Sequence, residues 1–181
     1  MKSEELVIQK LQGLFAEHNI FLIEKFRNCA RFKSDCVIIT IAHDDRENAN
    51  LVFIGNGTSK FYLGGDALVS IFGTGYIREL KTPELTVDDF LDNTFTVFTG
   101  VAKSLLSCDE RIFNAFDQYE RRKSTEYTNE IIRNQKLRQA DQFWEKKDYR
   151  SFIKALEGID AETLPRVYKL RYRIAVVNLE K

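Results

Sequence analysis

The chain opens with apolar and polar residues that alternate with the period of a helix. Apolar residues recur three and four positions apart from Val7 to Phe15, and Lys10 falls on the opposite side. Ser3 stands where a helix N-cap is favoured, and Asn19 is suited to end the helix. These positions predict a first helix with one buried face.

From residue 20 the pattern changes to that of strands. Segments 20–28 and 35–43 are rich in apolar and β-branched residues, and the second is apolar enough to predict a central strand. Two short strands are predicted around residues 55–57, Gly-Asn-Gly, because these residues supply the positive φ angles of a tight hairpin. Asp66 is then placed to cap a short helix that stops at Gly73.

A long helix is predicted after the hairpin. Thr82 and Pro83 match a cap and a first helical position, and Thr86 with Asp89 matches a capping pair. Val97 falls outside the expected apolar face, so we expect it to be partly exposed. The predicted apolar face comprises Phe90, Leu91, Phe95, Phe98, Val101, Ala102, Leu105 and Leu106.

No strand pattern follows Asp109. The polar run 120–126 is expected to kink or break the helix there, and Asp148 is placed to cap a later one. Gly158 is placed to end that helix, and Pro165 lies near the start of the last one. The apolar side of the last helix is predicted to comprise Val167, Tyr168, Leu170, Ile174 and Val177.

These elements predict an α+β protein with a small, mostly antiparallel N-terminal sheet flanked by helices, followed by an all-helical C-terminal third with a helical hairpin. The sheet domain is expected to comprise residues 1–108. The helical subdomain, residues 109–181, is expected to be packed on it as one compact unit. The hairpin is the kind of unit that tetratricopeptide-like repeats use, but no second copy follows at a period of about 34 residues. Trp144 is interpreted as a core residue of the hairpin rather than a recognition anchor.

Composition and charge narrow the possible classes of protein. Of 181 residues, 44% are hydrophobic and 30% charged, which is typical of a globular chain. The formal net charge is zero, which provides no global attraction to nucleic acid or to an anionic membrane. The excess of charge is small in each part: residues 1–108 carry 11 basic and 14 acidic side chains, and residues 109–181 carry 16 and 13.

The cysteines and the N-terminus predict a cytoplasmic location. Cys29, Cys36 and Cys108 form an odd, widely spaced set, which suits a reducing compartment where cysteine acts as a small buried apolar residue. Glu4 and Glu5 stand where a signal peptide needs an apolar run. No apolar stretch approaches the length of about 20 residues that spans a bilayer.

The sequence offers little catalytic or metal chemistry. His43, Asp44 and Asp45 are the one group that resembles an acid–base or metal site, but neighbours on a strand point to opposite faces. A solvated acidic loop is therefore favoured, with no catalytic residue, metal or cofactor expected. Arg166, Lys169 and Arg173 share a helical face that could meet phosphate, yet a solvated face is favoured there too, so no nucleic-acid partner is expected.

Two acidic clusters are the candidate partner-binding surface. One lies in the loop after the central strand and the other at the start of the long helix. The helix dipole alone explains acids at a helix N-terminus, but as an interface they would suit a basic partner. The candidate partner-binding residues are Asp44, Asp45, Glu47, Glu84, Asp88, Asp89 and Asp92.

The layout formed by "FLIEKF", "CVIITIAHDDR", "KTPELTVDDFL" and "ADQFWEKKDYRSFIKALEGI" resembles small bacterial immunity proteins, including those paired with contact-delivered toxins. The resemblance spans most of the chain and is carried by structural motifs without a catalytic signature. It implies a non-enzymatic protein that masks the active site of a cognate toxin domain by stoichiometric binding, without a cofactor. Because many such toxins are nucleases with basic clefts, the acidic clusters would be natural contacts.

Two alternatives remain open at this point. A chaperone or adaptor would bind an extended segment of a partner at an exposed strand edge. An enzyme would use a site near His43, Asp44 and Asp45 and would lose activity when His43 is changed.

Overall fold

The computed structural model describes residues 3–73 and 86–180 and has the expected α+β class. The cap expected at Thr82 and Pro83 lies outside these residues. In chain order the elements are α1 Ser3–Ala16, β1 Phe21–Phe26, β2 Cys29–Lys33, β3 Ile38–Asp44, β4 Ala49–Gly55, β5 Lys60–Tyr62, α2 Gly65–Phe72, α3 Val87–Thr99, a 3₁₀ helix Lys103–Ser107, α4 Glu110–Glu145, α5 Tyr149–Leu156 and α6 Arg166–Leu179.

The chain divides into two compact units, Met1–Arg121 and Arg122–Lys181. We call them the N-terminal unit and the C-terminal unit. The division falls inside α4, so the first turns of this helix belong to the N-terminal unit and the remainder to the C-terminal unit.

The N-terminal unit is built on an antiparallel sheet with strand order β1-β2-β3-β4-β5. The sequence pattern missed β2, which follows β1 through a turn with Asn28 at a φ of 63°. The segment expected as a strand from residue 35 is paired only from Ile38 onward. Ser34 and Val37 close a turn before it, through a backbone bond of 2.9 Å from Ser34 N–H to the Val37 carbonyl.

One face of the sheet forms the core of this unit together with α1 and α3. The ring of Phe15 on α1 lies 4.9 Å from that of Phe32 on β2 and 5.4 Å from that of Phe98 on α3, both edge to face. Such pairs add to the stabilisation that burial of the rings provides. The first turns of α4 join the same core, where Phe116 stacks on Phe61.

The long helix expected from residue 90 to 106 is shorter than predicted. It ends at Thr99, Gly100 caps it, and a separate 3₁₀ helix follows. The assignment of its faces was also wrong: Val97 is 3% exposed and Phe95 is 42% exposed. The short helix α2 ends before Gly73 as expected, whereas its N-cap is Gly64 and not Asp66, which lies in the first turn.

The cysteines are not all free apolar residues. Cys36, before β3, and Cys108, after the 3₁₀ helix, form a disulfide with a Cα–Cα distance of 5.9 Å, whereas Cys29 is free. The two partners are 72 residues apart in the chain. The prediction failed because their proximity depends on the tertiary fold and not on local spacing.

In the C-terminal unit, α4, α5 and α6 share a small apolar core formed by buried side chains of all three helices. Trp144 packs at 5.2 Å from Phe152 and 5.6 Å from Tyr149, in agreement with its interpretation as a core residue of the hairpin. The Asp148 side chain accepts a hydrogen bond from the Ser151 N–H, which confirms the predicted cap.

Two other predictions for this region were wrong. Helix α4 is continuous through residues 120–126, so the polar run neither kinks nor breaks it. On α6 the fully buried residue is Ala175, and Tyr168 is partly buried against the core. The other residues expected inside are exposed, namely Val167, Leu170, Ile174 and Val177.

Candidate functional site

The first acidic cluster lies in the turn between β3 and β4. Asp44 closes this turn, because its Oδ1 accepts the backbone N–H of Arg46 at 2.9 Å and that of Glu47 at 3.4 Å. Asn48 follows with a φ of 49°, which asparagine tolerates better than most residues. The local sequence Asp-Asp-Arg-Glu-Asn therefore folds into a turn that presents its carboxylates at the end of β3.

His43 lies beside this turn and takes part in a hydrogen-bond network. Its Nδ1 is 3.0 Å from Oδ1 of Asn50, its partner across the β3–β4 pair, and its Nε2 is 3.7 Å from Oδ1 of Asp45. Asp45 also accepts a hydrogen bond of 2.7 Å from Nδ2 of Asn28. The imidazole thus joins β3 to β4 beside the turn. The hypothesis of an enzyme site at His43 stays a prediction.

The second acidic cluster lies on the first two turns of α3. Thr86 caps this helix: its Oγ1 accepts the Asp89 N–H at 3.2 Å and donates to the Asp89 carboxylate at 2.6 Å, as the predicted pair requires. Lys10 on α1 binds Asp88 at 3.1 Å and Asp92 at 2.8 Å. The hydrogen bonds that the Lys10 ammonium donates to Asp92, the larger cause, and to Asp88 raise the pKa of Lys10.

The fold brings these two clusters to the same end of the N-terminal unit. A cavity of about 10 Å³ is lined by His43 and Asn50 beside the first cluster and by Val87 and Phe90 beside the second. That volume suits about one water molecule. Glu84 lies outside the described residues. The remaining carboxylates form what we call the acidic surface: Asp44, Asp45, Glu47, Asp88, Asp89 and Asp92.

The acidic surface is open to solvent. The side chains of Asp45, Asp88 and Asp92 are 66%, 64% and 71% exposed. Exposed ion pairs contribute little stability, so the contacts with Lys10 do not by themselves account for this concentration of charge. Chemically, the surface can receive cationic side chains.

A second feature is the edge strand β1. The sequence predicted a strand at residues 20–28 but not its position at the edge of the sheet. Phe21, Ile23 and Phe26 are 57%, 54% and 57% exposed on this strand, which pairs on one side only, with β2. A bulge between Leu22 and Glu24 interrupts that pairing. Phe21 and Phe26 are five positions apart, which in a regular strand would place them on opposite faces. The bulge adds one residue to β1, so the register predicts that both lie on the same face of the sheet.

Within residues 3–73 and 86–180, no group of three or more His, Cys, Asp or Glu side chains is arranged to hold a metal ion. No helix in the same ranges combines the length and the apolar character needed to cross a bilayer.

The fold and the acidic surface define the class of protein: an α+β protein with an antiparallel five-stranded sheet and a solvent-exposed acidic surface. Comparison with protein-family models, with curated proteins and with solved structures finds no match to this chain.

Proposed function

We propose that this chain is a non-enzymatic binding protein that holds a basic protein partner on its acidic surface. In finer terms, we propose an immunity protein of the cytoplasm, with a cognate bacterial toxin domain as the partner. The observation that supports this proposal is the position of the two acidic clusters at one end of the N-terminal unit, on either side of a single cavity.

The charge of this surface suits the recognition of a cationic cleft. Carboxylates that face solvent accelerate the encounter with a partner of opposite charge and select against partners of like charge. A toxin nuclease must attract a polyanion to its active site, so its cleft is basic. An anionic protein surface would compete for that cleft and would need neither a cofactor nor a reaction to neutralise the enzyme.

The first experiment is purification of the tagged protein from its native host, with mass spectrometry of the proteins that accompany it. We expect one stoichiometric partner, a basic domain from a secreted or contact-delivered toxin. Recovery of no stoichiometric partner from cells that produce both proteins would contradict the proposal.

The second experiment tests the acidic surface with the identified partner. The double variant Asp88→Asn with Asp92→Asn removes two charges and leaves the Thr86–Asp89 cap intact. Association should slow by at least about tenfold at low salt, with a weaker dependence on ionic strength. The matched control, Glu130→Gln with Glu145→Gln, changes the net charge equally at exposed positions of α4. Equal effects in the two double variants would refute a role for the acidic surface.

Strand β1 favours a second candidate, an adaptor that adds an extended segment of its partner to the sheet. Exposed aromatic and aliphatic side chains on an edge strand can receive alternate side chains of an added strand. Ile23→Lys should then abolish capture of the partner while Asp88→Asn with Asp92→Asn leaves it intact. The opposite result favours the immunity proposal.

A further inference from the structure

The face of the sheet that points away from the core of the N-terminal unit contains a depression. The strand register aligns Glu24, Arg31, Thr40, Phe53 and Tyr62 across all five strands on this face. In the next row, Gly55 lies between Ile38 and Lys60 and leaves a gap in the layer of side chains. The cavity at this gap has a volume of about 250 Å³.

The turn from β4 to β5 closes one side of this cavity. A Cβ atom at Gly55 would lie 2.4 Å from the carbonyl oxygen of Ser59, so only glycine fits there. Asn56 holds the turn through its Oδ1, which accepts the Thr58 hydroxyl at 3.0 Å and the Ser59 N–H at 3.1 Å. Gly57 has a φ of +87°. The gap in the layer of side chains therefore results from the geometry of the β4–β5 turn.

The cavity is also lined by a polar side chain that can form a hydrogen bond with a ligand. Thr40 lines the cavity and is only 6% exposed. Its hydroxyl can both donate and accept a hydrogen bond. A ligand in the cavity would be within reach of this hydroxyl and would take the place of water there.

The charged groups around Thr40 select for an anion. Among the described residues, Lys60 and Arg31 line the cavity and no carboxylate does. The ammonium of Lys60 lies 4.2 Å from the centre of the Phe53 ring, and Arg31 is paired with Glu24 at 2.5 Å. Because Glu24 already neutralises part of the Arg31 charge, Lys60 is the stronger attractor. Ile38 and Phe53 supply apolar walls.

We infer that this depression binds a small organic anion with a planar apolar body, such as an aromatic carboxylate. Its carboxylate would meet Lys60 and Arg31 and accept a hydrogen bond from the Thr40 hydroxyl, and its ring would lie against Phe53 and Ile38. A volume of about 250 Å³ limits the ligand to a molecule smaller than most drugs. This site is independent of the acidic surface and of any toxin partner.

The test is titration of the whole protein with benzoate, followed by NMR shifts of backbone amides in β3, β4 and the turn between β4 and β5. Benzylammonium has a similar size and the opposite charge, and acetate carries the charge without the ring. We expect saturable binding of benzoate with shifts around Thr40 and Gly55, weaker binding of acetate and none of benzylammonium. Absence of saturation with benzoate, or equal binding of benzylammonium, would overturn the inference.

Substitutions then identify the groups responsible. Lys60→Gln and Thr40→Val should each weaken benzoate binding, by about tenfold for the lysine, since it removes a charge-assisted contact. Lys33→Gln is the matched control, because Lys33 lies on the same face of the sheet but outside the cavity. Lys60 is exposed, so its variant should fold even if Thr40→Val does not. Equal losses in Lys60→Gln and Lys33→Gln would refute the site.

Discussion

The hydroxyl of Tyr168 on α6 donates a hydrogen bond of 2.7 Å to Oδ2 of Asp141 on α4. The guanidinium of Arg171 binds the other oxygen of the same carboxylate, also at 2.7 Å, and lies 5.3 Å from the centre of the Trp144 ring. Asp141 therefore joins α4 to α6 at the edge of the core of the C-terminal unit. Both hydrogen bonds involve a charged partner, which makes them stronger than neutral ones.

Replacing Tyr168 with Phe should destabilise the C-terminal unit by about 1 kcal/mol, because it removes one hydrogen bond to a partly exposed carboxylate. Tyr172→Phe is the matched control, since the described residues provide no hydrogen-bond partner for that hydroxyl. Urea unfolding followed by the fluorescence of Trp144, the only tryptophan, measures this unit selectively. Equal losses in the two variants would show that the Asp141 contact contributes nothing.

The ionisation of the Tyr168 hydroxyl should make the stability of the C-terminal unit depend on pH in the alkaline range. Burial, followed by the hydrogen bond to Asp141, raises the pKa of Tyr168 to about 12, whereas a tyrosine in an unfolded chain has a pKa of about 10. Below pH 10 the phenol is protonated in both states, and the stabilisation is complete. As the pH rises from about 10 to 12, only the unfolded chain releases the proton, so the stabilisation is lost across that interval.

The measurement is the urea midpoint of Trp144 fluorescence between pH 9 and pH 12. The midpoint should fall more steeply in the wild type than in Tyr168→Phe, which lacks the titrating group. Parallel curves for the two proteins would contradict the raised pKa.

Helix α3 shows why the sequence predicts an element more reliably than its buried face. The apolar periodicity and the Thr86 cap located the helix, but counting apolar residues placed Phe95 inside and Val97 outside. In the structure, Thr94 is fully buried on the inner face, where its hydroxyl donates to the Phe90 carbonyl at 2.8 Å. A buried threonine satisfied by its own helix gives no signal in a hydrophobic pattern. The prediction therefore placed the buried face of α3 at the wrong angle around the helix axis.

The two proposed sites also differ in how far sequence could predict them. The acidic residues were recognisable as clusters, but only the packing of α3 beside the end of β3 brings them together. The cavity beside Thr40 was not recognisable, because it depends on the register that aligns Gly55 with Ile38 and Lys60. Strand register results from pairing between distant segments, and β2 itself was missed.

Two phenylalanines on α3 should respond differently to truncation. Phe98→Ala should destabilise the N-terminal unit by about 3–5 kcal/mol, because the ring is fully buried against Phe15 and its loss leaves a cavity. Phe95→Ala should cost less than about 1 kcal/mol, since its ring is largely exposed. Circular dichroism during urea unfolding would compare the variants. A larger loss in Phe95→Ala would contradict the assignment of the inner face.

The Thr86 N-cap of α3 should stabilise the protein by a measurable amount. Thr86→Ala removes the acceptor for the Asp89 N–H and should cost about 1 kcal/mol. Thr86→Ser keeps a hydroxyl at the same position and should restore most of that loss. Because Asp89 belongs to the acidic surface, the two variants also show whether the order of this helix end affects partner binding. A serine variant no more stable than the alanine variant would contradict the capping role.

The Cys36–Cys108 disulfide should make stability depend on reductant. It closes a long loop within the N-terminal unit, and a crosslink over such a separation typically stabilises a protein by about 2–4 kcal/mol. Reductant should therefore lower the thermal midpoint of the wild type and of Cys29→Ser, but not that of Cys36→Ser with Cys108→Ser.

Alkylation of the denatured protein without reductant should modify Cys29 alone, as intact mass would show. Modification of all three cysteines would contradict the crosslink. In the proposed cytoplasmic location the pair would be largely reduced, so both experiments use protein oxidised in air after purification, and the double variant represents the reduced form.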